Sequence, residues 1–115
     1  MPAEETFKKT LELEPDSAVA CERLGYCYYR QNKLEEAHKL YLKSLEHDEK
    51  SATSHAGLGV VLMTMYLKDT SKMDLRAEAI KHWYRSLELD SNQPRIVKLI
   101  EKYKMTQTTQ PAPLL

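Results

Sequence analysis

The chain has 115 residues, with 17 Lys plus Arg against 17 Asp plus Glu, 30% charged residues and 42% hydrophobic ones. A formal net charge of zero removes any global electrostatic draw toward nucleic acid or an anionic membrane, and the composition is that of a folded, soluble domain and not of a disordered chain. Of only 3 glycines and 5 prolines, Pro2, Pro111 and Pro113 lie at the ends, so the interior is nearly free of breakers and favours long helices over strands.

In chain order, the first predicted element is a helix at about residues 3–14 with Phe7 and Leu11 on one face. A helix over 18–31 follows, because Cys21, Leu24, Gly25 and Tyr28 keep the i, i+3, i+4, i+7 spacing of one helical face. Gly25 costs about 1 kcal/mol of helix propensity relative to Ala, which is tolerable where a neighbouring helix must come close. Its two cysteines, Cys21 and Cys27, lie about 120° apart on such a helix and cannot bridge each other. They read as small buried hydrophobes in a reducing compartment.

The segment 33–47 is the next helix, with Leu34, Ala37, His38, Tyr41, Ser44 and Leu45 on its inner face and Asn32 as the expected N-cap. A second pair spans 52–90, where Gly59 repeats the device of Gly25. Ser71 and Asp74 are expected to form a capping box for its second helix. A last helix is expected at about 94–104, and 106–115, polar with two prolines, is expected to be a disordered tail.

These elements repeat. Phe7 and Leu11 recur as Tyr41 and Leu45 at an offset of 34 residues, and as Trp83 and Leu87 a further 42 residues on. An alanine stands four residues before each aromatic, at Ala3, Ala37 and Ala79. Cys21, Leu24, Gly25 and Tyr28 recur as His55, Leu58, Gly59 and Leu62, again at 34 residues. The longer offset marks an insertion of 8 residues at about 66–73. In chain order the pattern of bulky residue, Leu-Gly, Tyr, then Ala, aromatic and Pro resembles the tetratricopeptide repeat. The resemblance covers about residues 3–104, keeps the family's proline only at Pro15, and departs from the usual opening aromatic at Cys21 and His55.

The resemblance implies an all-α fold, a right-handed α-solenoid of antiparallel helix hairpins with about six helices. It divides the chain into a partial repeat (3–17), a full repeat (18–51), a full repeat with the insertion (52–93) and a capping helix (94–104). The first element has the pattern of a second helix without a first one before it. The chain therefore looks like the C-terminal portion of a longer array, and self-association through the N-terminal helix is expected.

The resemblance further implies that the first helices of each pair line a concave groove. The residues expected there are Val19, Glu22, Tyr26, Tyr29 and Arg30, then Thr53, Ala56, Val60 and Met63, then Arg95, Lys98 and Lys102. Such a groove is aromatic and apolar in the middle and basic at its C-terminal end, which suits a peptide or helix of a partner protein. The carboxylate-clamp members of the family, which bind the acidic C-terminus of heat-shock chaperones, carry Lys and Asn, then Asn, then Lys and Arg. Here those places hold Glu22 and Tyr26, Gly57, Arg95 and Leu99. Glu22 would repel a carboxylate, so a clamp is not expected.

Catalytic and metal chemistry finds no support. None of His38, His47, His55 and His82 pairs with another His or a Cys at i+3 or i+4, so no zinc motif is present. The chain has no Gly-rich phosphate loop and no nucleophile elbow, and no cofactor is expected. The leading expectation is a cytoplasmic protein–protein interaction scaffold within a larger assembly. The alternatives are a structural repeat that self-assembles through its terminal helices and, less favoured, a helical repeat that binds nucleic acid through Arg95, Lys98, Lys102 and Lys104.

Overall fold

A computed structural model describes residues 2–109 of the chain, with side-chain surroundings for 3–104. Among the described residues six helices follow one another: α1 (Pro2–Leu13), α2 (Ala18–Arg30), α3 (Leu34–His47), α4 (Ala52–Lys68), α5 (Met73–Leu89) and α6 (Pro94–Thr109). There is no strand among the described residues, and none of their helices is long and apolar enough to cross a membrane.

Helices α2 and α4 begin in the same way, 34 residues apart. Ser17 accepts a hydrogen bond from the Ala20 amide (3.2 Å) and Ser51 one from the Ser54 amide (3.1 Å). Each satisfies an amide that has no partner inside its helix, worth about 1 kcal/mol. The other two expected caps are corrected. Asn32 does not cap α3; it ends α2 in the left-handed region at φ 63°. The residue before α3 is Lys33, which makes no side-chain cap bond. Ser71 does not cap α5 either. Its hydroxyl turns back to donate to Asp69 Oδ1 (2.6 Å), because Asp69 ends α4 and offers the nearer acceptor.

The 8-residue insertion is absorbed mostly as helix. Four residues lengthen α4 relative to α2, three lengthen α5 relative to α3, and one enters the connection. The insertion expected at about 66–73 thus leaves only a short turn, 69–72, on a taller hairpin. Helix α6 runs five residues beyond the expected end at 104, so Thr106–Thr109, placed in the tail by sequence, are helical. No breaker precedes Pro111 to stop them. The rest of the expected tail, 110–115, lies outside the described residues.

The core follows the repeat. Ala37 and Ala79 are fully buried, as are Leu58, Val61 and, to within 1%, Trp83. Equivalent serines tie each pair shut: Ser44 Oγ donates to the Ala18 carbonyl (2.8 Å) and Ser86 Oγ to the Ala52 carbonyl (2.7 Å). Helix α1 lacks that partner. Its corresponding residue, Thr10, donates to Thr6 of its own helix (3.0 Å), and Ala3 is exposed. It is held to α2 instead by the Gln31 amide, which donates to Glu4 (2.6 Å).

Candidate functional site

Three helices wall a cleft of about 170 Å³. Helix α2 supplies Glu22, Tyr26 and Tyr29; α4 supplies Thr53, Ala56, Gly57 and Val60; α6 supplies Arg95 and Ile96. Apart from Ile96, which belongs to the core, these positions lie beside the core face of their helices. The apolar stripe of α2 faces α3, so the next stripe is left open. A neighbouring hollow of about 150 Å³ shares Tyr29, Val60 and Arg95 with the first and continues past Thr64, Leu67 and Leu99. The two form one trough. Tyr29 and Thr64 hydrogen-bond across it (3.4 Å).

The floor is Tyr41 of α3. Its ring is 3% exposed and reaches the trough because two glycines let it pass. A Cβ on Gly57 would stand 2.4 Å from the ring, and one on Gly25 3.2 Å from the opposite edge. No fully buried side-chain nitrogen or oxygen lacks a partner among the described residues. The Tyr41 hydroxyl hydrogen-bonds none of them, so it reaches open space in the cleft. Burial pushes its pKa well above the ordinary phenol value, and the nearby Glu22 charge adds to that.

The charges at the trough are opposed. The Glu22 side chain is 15% exposed and has, among the described residues, one ion-pair partner, Arg23, at 3.6 Å. Burial raises its pKa, against the pull of Arg23. Arg95 is exposed and makes no ion pair or hydrogen bond among the described residues.

Seven of the expected residues thus meet in one cleft: Glu22, Tyr26, Tyr29, Thr53, Ala56, Val60 and Arg95. Met63 touches only the neighbouring hollow and is 2% exposed, a core residue and not open groove surface. Its helical position puts it nearer the α5 side, where Trp83 needs apolar neighbours. Val19, Arg30, Lys98 and Lys102 line neither hollow. Arg30 donates to the Tyr26 hydroxyl (2.9 Å) and lies 5.8 Å from its ring centre, and Lys102 lies 5.2 Å from that of Tyr103. Tyr41 and Ile96 were not expected at the site, and Gly57 only as the residue in the place of a clamp asparagine.

A larger hollow of about 830 Å³ lies elsewhere, lined by His55 and otherwise by α5 residues such as Ile80, Tyr84 and Arg85. Walls from little more than one helix cannot enclose a guest, whereas the α2–α4–α6 trough has three walls and a floor. No group of three or more His, Cys, Asp or Glu able to hold a metal ion occurs among the described residues.

Comparison with known proteins agrees with this architecture. Residues 18–51 match the family model of the tetratricopeptide repeat. Among solved structures the chain is similar to the first such domain of Spaghetti (RPAP3), solved bound to the HSP90 peptide SRMEEVD. The TM-score is 0.79 at 16% sequence identity, over 91% of this chain and 77% of that one. At that identity the likeness is one of fold. No curated protein matches the sequence.

Proposed function

We propose, from the premise that this chain folds as a tetratricopeptide-repeat solenoid, that it is a protein-interaction module whose α2–α4–α6 trough holds a peptide or helix of a partner within a larger assembly. The observation that carries this reading is the three-walled cleft with Tyr26, 49% exposed, on its rim and Tyr29 inside it. Tyrosine adds contact area with few rotors and a polar tip, which makes it a frequent binding anchor. The solved domain of similar fold has a peptide bound, which supports a peptide-sized guest here. The module holds its guest and needs no chemistry to do so. In this reading residues 3–17 are a partial repeat, 18–51 and 52–93 full repeats, and 94–104 a cap.

The test is to pan a random-sequence peptide library against the full chain and measure the selected peptides. Tyr26→Ala with Tyr29→Ala should weaken them roughly 10-fold or more, with the helical circular dichroism retained. Peptides indifferent to that pair of changes would place binding elsewhere.

A second reading rests on its own observation. Leu13 and Val19 are 84% and 61% exposed at the N-terminal end, an apolar edge suited to stacking on another helix. Self-association should then be seen by sedimentation at high concentration and be lost in Leu13→Asp. A strictly monomeric profile would discard it.

A further inference from the structure

We propose that the α2 side of the trough is a socket for a basic side chain, a lysine or arginine of the bound segment, with Glu22 as its countercharge and tyrosines around it. This rests on the reading of the trough as a peptide groove and adds the chemistry of what enters it.

Glu22 is the first ground. A half-buried carboxylate costs free energy unless it is well paired. Its one ion-pair partner, Arg23, is a loose 3.6 Å away with its own side chain 60% exposed. Stability alone would be served better by an uncharged residue, so the charge is left for something that arrives. The second ground is the lining. Tyr26, Tyr29 and Tyr41 share the cleft with Glu22, and aromatic rings attract cations while accepting their aliphatic stems. Arg30 already occupies one side of Tyr26, which leaves the ring of Tyr29 for a guest. The third ground is the Tyr41 hydroxyl. Its ring is 3% exposed and its hydroxyl hydrogen-bonds no described group, yet it lies in the same cleft. Its lone pairs can accept from an ammonium or guanidinium.

Arg95 on the opposite wall sets the rest of the segment. It would repel the same cation and attract an acid, so the two walls together select a segment of mixed charge, with the basic residue toward α2 and an acidic one toward α6. A wholly acidic segment would meet Glu22 and be repelled.

The test uses the peptide selected on the full chain, its basic residue replaced in turn by norleucine, and the protein variant Glu22→Gln. Selected peptides are expected to share a Lys or Arg. Norleucine there should weaken binding roughly 10- to 100-fold, as should Glu22→Gln, and the norleucine peptide should be indifferent to Glu22→Gln. The melting temperature of Glu22→Gln should not fall, which separates a binding role from a structural one. The proposal is overturned if peptides that depend on Tyr26 and Tyr29 bind equally well with norleucine or to Glu22→Gln; the groove reading then survives alone. If no peptide depends on Tyr26 and Tyr29, both fall together.

Discussion

The helix pairs α2–α3 and α4–α5 share one frame and fill it with different chemistry. Tyr41 and Trp83 are equivalent, and each lies against the equivalent glycine of its own pair, Gly25 or Gly59. Tyr41 crosses to Gly57 and puts its hydroxyl in the trough, whereas Trp83 keeps its polar atom inside, donating from Nε1 to the Ala56 carbonyl (3.3 Å). At another pair of matched positions α2–α3 holds Cys21 and Leu40, where α4–α5 holds His55 and His82. The two imidazoles stack with centroids 5.2 Å apart and meet Nδ1 to Nδ1 at 2.9 Å. A conserved frame thus leaves one pair to shape the binding surface and makes the other a tighter, proton-sensitive core.

The sharpest way to break that contrast is at the matched glycines. A Cβ on Gly59 would stand 2.3 Å from Trp83 Nε1 and 3.0 Å from the Ala79 backbone oxygen; on Gly25 the closest atoms are the Tyr41 ring at 3.2 Å. Gly59→Ala should cost about 1–3 kcal/mol through overpacking against a bulky ring and fixed backbone. Gly25→Ala should stay within about 0.5 kcal/mol, because a shift of a few tenths of an ångström is offset by the gain of about 1 kcal/mol in helix propensity. Urea denaturation of both variants decides it, and equal losses would show the two interfaces to be alike.

The histidine pair gives the next largest effect. His55 Nε2 faces the Glu49 carbonyl (2.9 Å), so it carries the proton and His55 Nδ1 accepts one from His82 Nδ1. Doubly charged rings could not keep that bond. The His82 pKa is held below its ordinary value, first by burial, then by the His55 charge, with Lys81 and His38 adding to it and Glu78 opposing. The unfolded chain therefore binds the proton first, and stability present above about pH 6.5 is lost as pH falls through 6.5 toward the folded value. Between about pH 7.5 and 5.5 the melting temperature should drop, because the folded chain must take the proton up on a half-buried ring beside a second imidazole. His55→Cys with His82→Leu, which copies the α2–α3 residues, should flatten that drop. Glu22 works in the opposite sense: its raised pKa makes acid stabilising there, so only the difference between the two proteins isolates the pair. An unchanged slope would refute the assignment.

Much of this frame was legible in sequence because the 3.6-residue period and the 34-residue offset both report burial. Ala37 and Ala79 fell on the buried face for that reason. Open positions were harder. Glu22, Tyr26 and Tyr29 could be placed by rotating off the core face, but the same rotation put Met63 at the surface, since it knows nothing of how deeply the longer α4 sits against α5. The helical period places Tyr41 in the core, and it is buried; the length of its ring carries the hydroxyl through to the trough. A signal for that did exist in Gly57, which stands where the preceding pair has Arg23. Spacings of i+3 and i+4 report partners on a single helix, whereas His55 and His82 meet across two helices, 27 residues apart in sequence.

The last contrast lies in the two hairpin turns, closed by different means. Asn32 takes the left-handed conformation, with its amide donating to the Tyr29 carbonyl and that of Lys33 to the Tyr28 carbonyl, both at 2.9 Å. This is the Schellman arrangement, in which Asn stands in for the commoner glycine. Its side chain also accepts from Lys68 Nζ (2.6 Å), linking the turn to the end of α4. Asp69, at the other turn, has an extended φ of −148° and works through its carboxylate, which accepts from the Ser71 amide at 3.2 Å. Asn32→Val should therefore cost roughly 1–2 kcal/mol from the left-handed backbone alone. Asn32→Gly should lie within about 0.5 kcal/mol of the parent, since easier backbone geometry offsets the lost exposed bond to Lys68. Asp69→Val should cost less than Asn32→Val, because a valine is at home at that φ. Thermal melts of the three variants give the order directly, and an Asp69→Val loss equal to or greater than that of Asn32→Val would mean that backbone handedness is not what closes the first turn.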